Sequence, residues 1–183
     1  MSKLTVHTIE SAPEGSKESL QGSVKSFGML PNLHGVLAES PNLLKAYKSL
    51  HGFFASSSFN NDEQTVIWQT INVYNKCHYC VPAHTAIAHM TKVDAGITEA
   101  LRNNSEIPNP KLEALRQATL SLLKNQGNMP QADQDAFYSA GYNQQNLLDI
   151  LLGMAQKTIS NYANHLAKTP VDPPFQKYPW PAE

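Results

Sequence analysis

Apolar residues recur three and four positions apart along this chain rather than at every second position, so the pattern predicts helices and no convincing strand. In SPNLLKAYKSLHGFFASS, Leu43, Tyr47, Leu50 and Phe54 share one helical face, with Ser40 as the cap and Pro41 at the first helical residue. NNDEQTVIWQTINVY opens on Asn60 with Glu63 three residues later, a capping-box start, and continues through Val66, Ile67, Thr70, Ile71, Val73 and Tyr74. Further helices are expected over 16–27, 32–38, 82–93, 97–103, 110–126, 131–140 and 144–168, separated by Gly28, Pro31, Gly96, the IPNP stretch, GNMP and the GYN turn. Residues 1–14 read as irregular. The closing TPVDPPFQKYPWPAE holds too many prolines for a helix, and its Phe175, Tyr178 and Trp180 point to an extended arm over 170–183, laid on a surface. The expectation is an all-α fold in a single domain spanning 1–183.

Composition narrows the partners. At 183 residues and 41% hydrophobic content the chain is long enough to bury a core and short enough for one domain. Fourteen basic residues stand against fifteen acidic ones, net −1, without a run of either sign, which speaks against nucleic acid or an anionic membrane as partner. No apolar stretch reaches the length of a signal peptide or a membrane span, so a cytoplasmic protein is expected. In a reducing compartment, two cysteines at CxxC spacing point to catalysis or metal binding more than to a structural staple.

Both cysteines lie in NKCHYCVPAHTAIAHM. Pro82 is tolerated only in the first turn of a helix, so the helix begins between Cys77 and Pro82. Cys80 then sits at a helix start, where free N–H groups and the helix dipole favour a thiolate. His84, one turn on, leans back toward its sulfur as a neighbouring base, and Cys77 lies within reach of a disulfide to Cys80. Cys80 is therefore expected to attack and Cys77 to resolve. A zinc site of Cys77, Cys80 and His84 competes, but His78, His89 and His165 offer no fourth ligand at a telling spacing. Two inert buried thiols are the other alternative. A thioredoxin-like site is disfavoured, because a helix and not a strand precedes the CxxC. On the preceding helix Glu63, Ile67, Ile71 and Tyr74 form one stripe, so Glu63 is either a buried proton carrier for His84 or simply the closing residue of the capping box. His165 could line the site or serve the end of its own helix.

These residues resemble the carboxymuconolactone decarboxylase / alkylhydroperoxidase D-like superfamily, in particular its peroxidase-related branch. The likeness runs from MLPNLHGVLAESPNLLKAY through the CxxCxxxH block to AGYNQQNLLDILLGMAQKTISNYANHLAKTP, covering most of 29–175. It implies an alkylhydroperoxidase D-like helical bundle assembled as trimers or hexamers. It also implies a thiol peroxidase or disulfide reductase in which Cys80 attacks, Cys77 resolves, and His84 and a glutamate relay protons. The substrate would be a small hydroperoxide or disulfide, the recycling partner a dithiol reductant, and no cofactor is called for. Thr65 occupies the usual glutamate position twelve residues before Cys77, while Glu63 matches the acidic position of the peroxidase-related branch. Tyr79 replaces the histidine usual inside the CxxC. The decarboxylase branch usually lacks the cysteine pair, so lactone decarboxylation is an alternative, as is a non-catalytic or zinc-stabilised helical assembly protein.

Overall fold

The computed structural model describes residues 4–181. Among these the chain forms α1 (Glu14–Phe27), α2 (Asn32–Leu37), α3 (Pro41–Ala55), α4 (Asn61–Tyr74), α5 (Cys80–Met90), α6 (Ala95–Arg102), α7 (Pro110–Lys124), α8 (Gln131–Ser139) and α9 (Gln144–Ala167). A 3-10 turn follows over Pro173–Phe175, and no strand is present among the described residues. Local chemistry explains most of the starts. Asn60 accepts from the Glu63 N–H while Glu63 accepts from the Asn60 N–H, each at 3.0 Å, which closes a capping box at α4. Asn143 and Asn146 exchange the same pair of bonds at α9, and Asp94 and Asn109 cap α6 and α7. Ser40 stands at the cap position of α3 but makes no side-chain capping bond; Pro41 opens that helix without it.

α4 is the axis of the molecule, packed against α5, α6, α7 and α9. Every residue from Glu63 to Asn72 is buried, so α4 is enclosed all round rather than along one stripe, and Tyr74, at its end, is exposed. Buried polar side chains on such a helix need partners, and most find them. Gln64 donates to the Ala55 and Phe59 carbonyls, Gln69 to the Val81 carbonyl and Thr85 Oγ1, and Asn72 to Gln69 Oε1 and the Cys80 carbonyl. The last two tie the end of α4 to the start of α5.

Two apolar clusters flank this axis. The larger joins Phe54, Val66, Ile67, Trp68, Leu115, Phe137 and Ile150; the smaller gathers Leu20, Leu33, Leu37, Leu44 and Tyr47 around Cys77, Tyr79 and Cys80. Residues 170–181 run as an arm across the second cluster. Arg102 donates to the Pro179 carbonyl at 2.7 Å, Trp180 donates to the Arg102 carbonyl at 3.0 Å, and Tyr178 stacks on His89. Residues 1–3 and 182–183, the ends of the expected irregular segment and arm, lie outside the described residues. Among the described residues no helix is long and apolar enough to cross a membrane.

α9 crosses α3 and α4 at Gly153, where an added Cβ would stand 2.9 Å from Phe54 Cε2 and 3.1 Å from Ile67 Cγ2. Gly153→Ala therefore sets about 1 kcal/mol of helix propensity gained against about 1–3 kcal/mol of overpacking. Net destabilisation is expected, read as a lower urea midpoint. Gly52→Ala on α3 is the control, because its added Cβ meets nothing within 4 Å, and it should raise the midpoint.

Candidate active site

The turn after α4 fixes the cysteine pair before any side chain is considered. Lys76 adopts a left-handed conformation, the Cys77 N–H donates to the Asn72 carbonyl at 2.9 Å, and the Val81 N–H donates to the Cys77 carbonyl at 3.1 Å. α5 begins at Cys80 with Pro82 in its first turn. Both thiols are free and buried, and the Cys80 N–H donates to Cys77 Sγ at 3.3 Å. Cys80 opens onto a cavity of about 470 Å³, and Cys77 lies behind it, outside the lining.

α9 supplies the other half of the site. Asn164 Nδ2 donates to Cys80 Sγ at 3.2 Å, and Asn161 Nδ2 donates to Asn72 Oδ1 at 3.0 Å while accepting from Asn75. Lys157, only 1% exposed, donates from Nζ to His84 Nε2 at 2.9 Å. Gln156 accepts from Trp68 Nε1 at 2.7 Å and meets His51 Nδ1 at 3.2 Å. The Trp68 indole packs between the His51 ring, stacked at 5.5 Å, and the His84 ring, tilted at 5.0 Å.

This environment separates two thiols that are three residues apart. Burial opposes ionisation of Cys80, yet the hydrogen bond with Cys77, the Lys157 charge and the Asn164 and Asn161 amides outweigh it and lower the thiol to about 5. Cys77 moves the opposite way, raised by its hydrogen bond with Cys80, by burial and by the Cys80 charge. His84 is driven well below its usual value by burial, with Lys157 and His51 adding to the effect, so it is a neutral imidazole. Lys157 lies below its ordinary value: burial pulls the ammonium down, and the interactions with Cys80 and then Cys77 offset only part of that.

The cavity walls are apolar: Phe27, Met29, Leu33, Ile87, Met90 and Phe175 surround a floor of Cys80, His84 and Lys157, with Tyr47 and His51 beside it. The arm closes one side. Asp172 accepts from the Asn32 N–H at 3.0 Å and from the Tyr79 hydroxyl, and Phe175 meets the Tyr79 ring edge-on at 6.4 Å. Tyr79, inside the CxxC, thus anchors the arm and lines the cavity.

Of the residues singled out in the sequence, Cys77, Cys80 and His84 come together, with one change of partner. His84 is hydrogen-bonded to Lys157 rather than to Cys80, because a buried lysine from α9 reaches its Nε2. Glu63 is not brought to the thiols. Its carboxylate closes the Asn60 capping box and pairs with Lys111 at 3.3 Å, at the far end of α4 from Asn72. Nine residues separate Glu63 from Asn72, about 13 Å along the axis. His78 meets the Thr169 carbonyl, His89 stacks on Tyr178, and His165 meets the Lys76 carbonyl, none of them lining the cavity. Among the described residues no group of three or more His, Cys, Asp or Glu side chains is arranged to hold a metal ion. Lys157, Asn164, Asn161, Gln156 and His51 were not singled out. The signal that could have found them is the run of small and polar residues at 153, 156, 157, 160, 161 and 164, one helical face of α9 that is buried throughout.

No protein-family model matches the sequence, and no curated protein matches it. The fold does match solved structures. One is an alkylhydroperoxidase AhpD core, an uncharacterized peroxidase-related protein from Ralstonia eutropha JMP134, with a TM-score of 0.83 and 21% identity over 94% of this chain and 93% of that one. A peroxidase-related protein from Silicibacter sp. TM1040 matches with a TM-score of 0.80 and 17% identity over 94% and 93%. The debrominase Bmp8, in complex with 2,3,4-tribromopyrrole, matches with a TM-score of 0.76 and 17% identity over 97% and 95%. The fold is that of the alkylhydroperoxidase AhpD core, in line with the resemblance read from the sequence.

Because reactivity follows the thiolate, alkylation of Cys80 by iodoacetamide should be level through the neutral and mildly alkaline range and fall only as pH drops through about 5. Cys77 should stay sluggish throughout. The same depressed value makes the contribution of Cys80 to stability complete above the ordinary thiol range and lost as pH falls through about 5. Site-resolved mass spectrometry against pH checks this, and a Cys80 rate still climbing steeply at pH 8 to 9 would contradict the geometry.

Proposed function

We propose that this protein is a thiol-dependent oxidoreductase that reduces a small hydroperoxide or disulfide through Cys80 and Cys77. The observation that carries the reading is one free thiol held toward its anion at the floor of an apolar cavity, with a second free thiol directly behind it. The Cys80 thiolate attacks the terminal oxygen of a hydroperoxide; an S–O bond forms, the O–O bond breaks, and the electron pair leaves on the alkoxide. Cys77 then displaces hydroxide from the sulfenic acid, giving the Cys77–Cys80 disulfide and water. An external dithiol restores both thiols by exchange. The cavity suits a substrate with a hydrocarbon or aromatic body, and its buried thiol disfavours a folded protein's disulfide. A compartment that keeps thiols reduced, the cytoplasm, fits this chemistry.

A second reading draws on the Bmp8 likeness, since the same dithiol in an aromatic-walled cavity could reduce a carbon–bromine bond, releasing bromide and leaving the disulfide. Lactone decarboxylation is weaker, because no step of it calls for a thiol pair. The reduced protein should consume cumene hydroperoxide with stoichiometric disulfide formation. In Cys77→Ser a sulfenic acid at Cys80 should be trappable by dimedone, and Cys80→Ser should lose turnover by at least about a hundredfold. Release of bromide from 2,3,4-tribromopyrrole, with no reaction toward any hydroperoxide or disulfide, would replace this reading with the second.

Assembly into a homo-oligomer, a trimer or hexamer, belongs to the same proposal. The outward face of α9 carries Leu148, Leu151, Tyr162 and Leu166, the last 76% exposed, large apolar side chains left uncovered within the described chain. Sedimentation at micromolar concentration should show an oligomer, and Leu166→Glu with Leu151→Glu should convert it to monomer.

A further inference from the structure

Resting on the thiol reading above, we infer that Lys157 is the charge partner of the Cys80 thiolate and the source of the proton taken up by the leaving oxygen when Cys80 is oxidised. A fully buried ammonium must face an anion or surrender its proton. The groups around Lys157 are Tyr47 and His51 from α3, Cys80 and His84 from α5, and Cys77 from the turn before it. His34 and Lys48 line the same cavity farther out, and no cavity-lining residue is a carboxylate. Asp172, which reaches Tyr79 of the cysteine loop, is engaged by Tyr79 and Asn32. Among the described residues, the one anion the site can offer Lys157 is therefore the Cys80 sulfur. Its Nζ–H donates to His84 Nε2 at 2.9 Å, a bond that leaves the imidazole neutral with its own proton on Nδ1. Both sulfurs raise the proton affinity of Lys157 against the effect of burial, so the two charges support each other.

Oxidation breaks that mutual support. Cys80–S⁻, Lys157–NH₃⁺ and ROOH become Cys80–SOH, Lys157–NH₂ and ROH: the S–O bond forms, the O–O bond breaks with its electron pair on the leaving oxygen, and the ammonium proton neutralises that oxygen. Loss of the thiolate removes the one counter-charge that the described residues give Lys157, so its proton is released at the step that needs one. Cys77 and Cys80–SOH then give the disulfide and water. When a dithiol reduces that disulfide, the new Cys80 thiol returns a proton to Lys157.

Lys157→Met in the full chain tests the charge partnership, with circular dichroism showing that the variant folds. The pH midpoint of Cys80 alkylation should rise by about 1–3 units. Single-turnover oxidation by cumene hydroperoxide at neutral pH should slow at least about tenfold, and Lys157→Ala should regain part of that rate with added ethylammonium. An unchanged Cys80 midpoint in folded Lys157→Met would overturn the inference. Where Lys157→Met does not fold, NMR of the lysine ε-carbon in the wild-type protein serves instead. The Lys157 midpoint should fall when the protein is converted from dithiol to disulfide, and an identical midpoint in both forms would overturn the inference. Should Cys80 titrate with Lys157 dependence yet resist every hydroperoxide and disulfide offered, the charge pair stands and the oxidoreductase reading fails.

Discussion

A lysine buried in a helical bundle, with thiols and histidines around it and no carboxylate among the described residues that line its cavity, is the constraint on which the rest of this structure depends. It requires α9 to turn its polar side inward. Gln156, Lys157, Ser160, Asn161 and Asn164 are all buried on that side, and Gly153 lets the helix approach Phe54 and Ile67 closely enough for them to reach the cysteine turn. Burying so much polar surface is tolerable only where hydrogen bonds replace water. The Asn75–Asn161–Asn72 chain and the Trp68–Gln156–His51 chain do this on either side of the Lys157–His84 pair. Leu148, Leu151, Tyr162 and Leu166 of α9 are consequently left facing outward, while Ile150 stays in the core.

The same constraint explains why the two cysteines are chemically unequal. Sequence spacing alone makes them near neighbours, but the start of α5 falls between them. Cys80 then faces the cavity, α9 and the lysine, while Cys77 packs behind it against apolar residues and donates its polarity to Cys80. The order of reaction that the proposed chemistry needs, attack at the cavity-facing sulfur and resolution from behind, follows from that placement and not from any difference between the side chains. Tyr79, between them, has its hydroxyl turned toward Asp172, which engages that carboxylate and holds the arm against the cavity wall.

Local signals in the sequence were enough to read the helices. The Asn60–Glu63 box, the Asn143 start and the position of Pro82 each concern a few neighbouring residues, and the structure keeps them. The Cys77, Cys80 and His84 cluster was legible for the same reason. Lys157 and Asn164 were not, because they reach Cys80 and His84 from more than seventy residues away, and no spacing rule connects them. α9 also misleads a reader who assigns all its large apolar residues to the core, since Leu148, Leu151, Tyr162 and Leu166 point out while Ile150 is buried. Glu63 divides differently: of its two readings the capping role is the one its contacts show, and the end of α4 that runs into the cysteine turn carries Gln69 and Asn72 instead.

Replacing a carboxylate relay by a lysine changes the electrostatics of the chemistry. A glutamate beside a reacting thiolate adds a second negative charge to a low-dielectric site, so it must carry a proton at rest to be compatible with the anion. A lysine is compatible with the thiolate while protonated, and becomes incompatible when the thiolate is gone. The proton is then held by the same attraction that activates the nucleophile and freed by the nucleophile's own reaction. With that arrangement a buried carboxylate near Cys80 would be a liability, because it would keep Lys157 protonated after oxidation. Thr65 at the usual glutamate position, Glu63 committed to the far end of α4, and Asp172 turned to Tyr79 all satisfy this requirement.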